Sequence, residues 1–361
     1  MIAGLIIILI FIFVLPFLLK KMEEELELFL FVIGLIAVSI TYQWNLHLIR
    51  ECLIEPIKIT LVVFLAGILF ELTQKSLDKN LNRIVEKLGL KLFVFLLVVV
   101  LGVFSGIITA VVAALILVEI ISNLKLDKKI EIKIIVLTCF SIGLGAALTP
   151  IGEPFSTIVV AKLKGKPCFV DFWFLFKLLG IYIIPGIIMT GLVAAKFVKK
   201  GQGVRYGFKE KRAENFKDII IRTLKIYLFI VALILLGTGF KPLVEMYISK
   251  TPPYVLYWAN ILSAILDNAT MAAAEIGPAL SLIQIKYAIL GIIIAGGFLI
   301  PGNIPNIIVA NKLKIKSKEW AKIGVPFGFA LMIVYFIILT FIHYAGIANR
   351  LCHNELKIAF L

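Results

Sequence analysis

Apolar runs long enough to cross a bilayer recur along this chain from one end to the other. That repetition constrains the fold more than any single motif. A crossing needs about 20 apolar residues, because a helix rises about 1.5 Å per residue across roughly 30 Å of hydrocarbon. The runs are continuous rather than alternating, which argues against a β-barrel. Only 16% of the residues are charged and 61% are apolar, whereas soluble domains carry about 25% charged residues. The expected class is an all-α polytopic membrane protein. A net charge of +15 would suggest a nucleic-acid partner in a soluble protein. Here it reads as Lys and Arg collected in cytoplasmic loops, with the lipid bilayer as the partner and no nucleic acid.

Taken in order, residues 2–19 and about 26–42 form two spans, and residues 51–72 a third. The first span lacks a basic leader and an A-x-A-like cleavage site, and Lys20-Lys21 follow it, so it reads as a span rather than a signal peptide. The stretch 74–91 alternates charges with Leu77, Leu81, Ile84, Val85 and Leu88, the pattern of an amphipathic helix on the interface. From Leu90 to Ser122 the chain is apolar. That is about 50 Å as helix, too long for one crossing, so a re-entrant hairpin turning near Ser105-Gly106 is expected. Residues 132–163 cross with a break at Thr149–Pro154, and residues 172–197 cross again. The basic stretch 198–218 is expected to be a cytoplasmic linker. Then come a span at 219–237, an interfacial stretch at about 241–258, a second hairpin at 259–282, a broken crossing at 286–311 and a last span at 324–345.

The second hairpin holds Asp267-Asn268 in the middle of an apolar run, followed by Glu275 and Gly277-Pro278. Acids at membrane depth mark ion or substrate pathways far more often than not. The two broken crossings match each other, Gly145, Pro150 and Pro154 against Gly296, Pro301 and Pro305, with Lys162-Leu163-Lys164 against Lys312-Leu313-Lys314 after a one-residue gap. The hairpins align on Phe104–Ile107 and Leu262–Ile265, which sets Thr109-Ala110 opposite Asp267-Asn268. Interrupted segments at corresponding places in two halves point to a transporter's binding site. The expected fold therefore contains two inverted-topology repeats, each with a re-entrant hairpin and a broken transmembrane helix. Its divisions are N-terminal spans at 1–50, repeats at 51–200 and 219–346, a linker at 201–218 and a tail at 347–361. With the linker inside, Lys and Arg are much denser on the inner side, and the two hairpins open to opposite sides.

The four cysteines (Cys52, Cys139, Cys168 and Cys352) are scattered, and the three histidines lie near segment ends or in the tail. They suggest neither a metal centre nor a disulfide framework. No H-E-x-x-H occurs, so the rival class, a membrane-embedded enzyme such as a protease, lacks its machinery. The chain is not expected to be an enzyme.

At Ser263–Thr270 the sequence resembles the hairpin motif of the ion transporter superfamily, in particular NhaD-type sodium/proton antiporters and arsenite permeases. Gly145–Pro154 and Gly296–Asn306 are similar to its paired broken helices. The greatest similarity is to an uncharacterised, largely archaeal branch of proposed cation transporters. The resemblance covers the chain from about residue 55 onward. It implies a scaffold, a mobile transport domain with elevator-like alternating access, and a homodimer in the cell membrane. By position, the candidate ion or substrate site takes Thr109, Thr149, Glu153, Ser156 and Thr157 from the first half. Asp267, Asn268, Thr270, Asn303 and Asn306 come from the second. Thr109 stands where an Asp or Asn is expected, which leaves fewer charges than in a sodium/proton antiporter.

Asp267 either binds Na⁺ or a proton, or accepts the backbone amides of the hairpin tip; Asn268 either ligates Na⁺ or ties the tip down. Hard cations prefer such oxygen ligands. Glu153 either exchanges a cation for a proton or caps the helix behind it, and Asn303 and Asn306 present the same alternatives. Glu275 and Glu119 are candidate proton relays, or ion-pair partners for a lysine. Lys177, inside a span, is expected to pair with one of these acids. The leading expectation is a secondary active transporter exchanging Na⁺ or a similar cation for H⁺, with no cofactor beyond a bound Na⁺. A Na⁺- or H⁺-coupled carrier of a small anion or an arsenite-like species is the alternative, since helix N-termini near residues 155 and 306 suit an anion as well.

Overall fold

The computed structural model describes residues 2–19, 22, 25–57, 60–61, 64–65, 68, 85–124, 126–164, 168–198, 216–247 and 251–358. Among these residues there is no strand, and the elements are helices. In hydrocarbon a backbone must satisfy its own hydrogen bonds, and helices do so locally. The N-terminal pair is α1 (Ile2–Leu18) and α2 (Leu26–Ile40). The first half continues with α3 (Leu90–Ile108), α4 (Ala110–Asn123), α5 (Lys128–Ala146), α6 (Pro154–Leu163) and α7 (Phe174–Lys196). The second half has α8 (Phe216–Tyr247), α9 (Pro253–Ala259), α10 (Ser263–Leu266), α11 (Asn268–Glu275), α12 (Leu282–Ala295), α13 (Ile304–Leu313) and α14 (Ser317–Ile358).

Among the described residues, four stretches are long and apolar enough to cross a membrane by length and composition: Leu90–Ile108, Phe174–Lys196, Thr223–Pro242 and Ser317–Ile342. The breaks fall where the local chemistry changes. Asp127 caps α5 by accepting the amide of Lys129 at 3.0 Å, and Ser281 and Gln284 form a reciprocal capping box at the start of α12.

Three expected boundaries move. The break expected at Ser105-Gly106 falls instead at Thr109, between α3 and α4. Ser105 and Gly106 lie within α3 and serve its packing on α5: the Ser105 hydroxyl donates to the Ile142 carbonyl at 2.9 Å, and a Cβ on Gly106 would stand 2.9 Å from the Gly145 carbonyl oxygen. Small residues here allow close approach of two backbones rather than a turn. The first arm of the second hairpin region begins at Pro253, not near residue 259, with a 3-10 turn at Asn260–Leu262 between α9 and α10. Helix α8 runs on to Tyr247, through part of the stretch expected to be interfacial. Most of the amphipathic stretch 74–91, most of the linker 198–218 and much of the span 51–72 lie outside the described residues.

The packing is reciprocal. α3 lies on α5, and α9 on α12; α5 lies on α7, and α12 on α14. The short helix α4 packs on α13 of the other half, while α11 packs on α6. Outside this assembly, α2 and α8 cross closely at Gly34 and Gly239. A Cβ on Gly239 would sit 2.6 Å from that of Ala37. The N-terminal pair reaches the broken helices through buried Glu27, which accepts from the Asn311 amide at 3.0 Å.

Candidate functional site

Thr109 and Asp267 occupy the two turns between paired helices, with nearly the same backbone: φ 77, ψ 149 for Thr109 and φ 66, ψ 144 for Asp267. Residues other than glycine seldom adopt such angles, and strain of that kind is of order 1–3 kcal/mol. In both cases the side chain caps the helix it opens. Thr109 Oγ1 accepts from the Val112 amide at 3.3 Å, and Asp267 Oδ2 accepts from the Ala269 amide at 3.2 Å.

The interrupted helices also correspond, but in a register one residue away from that of their prolines. Glu153 and Asn303 are the residues before α6 and α13, and both are extended, at φ −160, ψ 163 and φ −155, ψ 143. Gly152 and Gly302 press against the carbonyls of Ala146 and Gly296, where any Cβ would collide. Ser156 donates to the Ala146 carbonyl at 3.1 Å and Asn306 to that of Gly296 at 2.8 Å. In this register Lys162-Leu163-Lys164 meets Lys312-Leu313-Lys314 without a gap. Proline is free to differ because the first-turn amides of a helix have no partner within it. Pro154 sits at the first helical position of α6 and Pro305 at the second of α13.

The turns bring Glu153, Asp267, Asn268 and Asn303 together. Glu153 and Asp267 are 7% and 6% exposed, near enough for one charge to act on the other, and the Asn303 side chain lies beside Glu153. One Glu153 oxygen, Oε1, is buried without a hydrogen-bond partner. The amide nitrogen of Asn268 faces the Ile292 carbonyl at 3.0 Å, the Gly302 carbonyl at 3.2 Å and the Ser263 hydroxyl at 2.7 Å, and its oxygen faces Asn303 Nδ2 at 3.2 Å. Asn303 thus links the acid of one half to the tip of the other. Gly143 leaves room for it: a Cβ there would lie 3.0 Å from Asn303 Nδ2.

The hydroxyl candidates are engaged locally instead. Thr149 donates to the Gly106 carbonyl, Thr157 to that of Pro150 at 2.6 Å, and Ser156 to that of Ala146. Thr270, half-buried, packs on Gly237 of α8. Asn306 spends its amide nitrogen on Gly296 and Leu299, leaving its buried oxygen without a partner. Away from the cluster, Glu275 accepts from Asn260 and Glu119 from Asn123, each at 3.1 Å. Lys177 pairs with Asp171 at 2.6 Å rather than with any of these acids. It stands at the exposed start of α7, not at membrane depth. Asn260 was not singled out by the sequence, and Ser263 only as part of the hairpin motif; an amide inside the apolar run Tyr254–Leu262 is the signal that marks Asn260.

Apolar helices of spanning length, packed around shorter helices that bury acids and amides at their ends, make this an integral helical membrane protein. The chain belongs to the family described as protein of unknown function (DUF1646), whose family model matches residues 2–342. No curated protein matches the chain.

Proposed function

We propose that the protein is a secondary active transporter exchanging a monovalent cation, Na⁺ or a similar ion, for H⁺ at the Glu153–Asp267 pair. The observation that carries this reading is the burial of two carboxyls, one from each half, Glu153 at the break before α6 and Asp267 at the turn between α10 and α11. Two carboxylates buried near each other repel, and the more strongly the lower the local dielectric constant. Such a pair favours a bound cation or a bound proton over two bare carboxylates, which is the competition that exchange requires. Asn303, Asn268 and the unpartnered oxygens of Glu153 and Asn306 are hard ligands suited to Na⁺. An anion at the same helix N-termini would face both acids, so the coupled anion carrier is the weaker reading.

The reciprocal packing of α4 on α13 and of α11 on α6 supports the further proposal that the halves are inverted repeats with re-entrant arms, alternating access around the pair. The test is purified protein in liposomes with a trapped pH indicator, pulsed with Na⁺, Li⁺ or K⁺. A lumenal pH change driven by one cation, and lost in both Asp267→Asn and Glu153→Gln, is the expected result. Unaltered exchange in both variants would overturn it.

A further inference from the structure

A third buried acid stands apart from that pair. Glu275 is the last residue of α11, two turns from Asp267, or about 12 Å along the axis. Its side chain is 5% exposed. Oε1 accepts a single hydrogen bond, from Asn260 Nδ2 at 3.1 Å, and Oε2 has no partner. Asn260, itself 1% exposed, is held by a second bond to the Ala288 carbonyl at 3.2 Å. The acid also lies at the negative end of its helix, where a carboxylate is disfavoured.

Among the described residues no ion pair reaches it. The described ionisable side chains on the elements packed against α11 are engaged elsewhere or stand at the surface. Lys162 of α6 donates to the Ala273 carbonyl. Lys286 of α12 lies over the Tyr182 ring, and Tyr287 faces Thr340. Tyr257 of α9 donates to the Met332 carbonyl. On α8, Lys225 pairs with Glu25, Tyr227 bonds the Leu53 carbonyl, and Lys241 is exposed. An isolated buried carboxylate with one amide donor is strongly disfavoured, whereas a neutral acid in the same place is far less so.

We propose that Glu275 is a proton-binding site distinct from the Glu153–Asp267 pair, carrying H⁺ as a neutral carboxylic acid clasped by Asn260. The O–H bond forms at Oε2 with a proton from hydronium, which leaves as water, and breaks by returning that proton to water as hydronium. Because Asn260 precedes the Asp267 turn and Glu275 closes the helix after it, the clasp joins the two arms that present Asp267. Occupancy by a proton therefore sets how firmly those arms are held. The part this plays in exchange rests on the carrier reading; the presence of the proton does not.

Infrared difference spectroscopy of the purified protein against Glu275→Gln, at neutral pH, tests the site without any transport. The expected difference is one protonated-acid carbonyl band, present in the wild type, displaced in heavy water and absent in the variant. A carboxylate pair of bands in its place overturns the proposal. Glu275→Asp guards against a folding artefact by keeping a carboxyl on a shorter stem, and it should retain an acid band at a shifted position; a carboxylate there counts against the proposal too. In liposomes, Glu275→Gln should keep cation-driven flux but move fewer protons per cation. If the acid band is present while no cation drives proton movement in the wild type, the carrier reading fails and Glu275 remains a proton site.

Discussion

At the scale of single residues, the site divides between side chains that face one another and side chains that mend the backbone. Glu153, Asp267, Asn268 and Asn303 belong to the first group. Ser156, bonded to the Ala146 carbonyl across the break, belongs to the second. Ser156→Ala should therefore leave exchange intact and cost about 1 kcal/mol of stability, the worth of an ordinary hydrogen bond. Thermal unfolding in detergent and the liposome assay separate the two effects; loss of exchange in a stable Ser156→Ala protein would return it to the site. A surface pair gives a pH prediction. The Lys177 ammonium, hydrogen-bonded to exposed Asp171, holds that carboxyl below its ordinary value. Its stabilising effect is present above the ordinary carboxylate range and is lost as pH falls through the depressed value. In Lys177→Gln the Asp171 titration, followed by carboxyl-carbon NMR, should move up; no movement would mean that the pair does not form in solution.

At the scale of elements, the sequence announced the interruptions and misplaced their centres. Asp267 was legible because an acid in an apolar run has few structural reasons to be there. Thr109 emerged only by alignment, since a threonine in such a run is unremarkable and its positive φ is invisible in sequence. Ser105-Gly106 looked like a turn because small residues serve both turns and close helix packing, and only the position of Gly145 distinguishes them. The prolines gave a register one residue out because a helix start accepts proline at either of its first two positions. The glycines are the stricter markers. A Cβ on Gly302 would lie 2.5 Å from the Gly296 carbonyl oxygen and 2.9 Å from that of Ser263. Gly302→Ala should destabilise the protein by about 1–3 kcal/mol, lowering the unfolding temperature and disturbing the Asn268 contacts. A neutral substitution there would mean that the turn relaxes away from the described geometry.

At the scale of the whole molecule, the helical class was legible from composition and run length, whereas the exchange of short helices between halves was not. Nothing in the local sequence says that α4 packs on α13 and α11 on α6, because contacts between segments more than a hundred residues apart leave no periodicity to read. If that exchange reflects inverted halves, equivalent residues must face opposite sides of the membrane. Lys164 and Lys314 are such a pair, both exposed, each just beyond the second half of its broken helix. With the side richer in Lys and Arg taken as the cytoplasmic one, Lys314 is expected inside and Lys164 outside. In a background with Cys52, Cys139, Cys168 and Cys352 replaced by serine, Lys164→Cys should react with an impermeant maleimide added to intact cells. Lys314→Cys should react only after the membrane is opened. Labelling of both from one side would mean parallel halves. The site would then lose its symmetric access, and Glu153 and Asp267 would have to be reached by a single pathway.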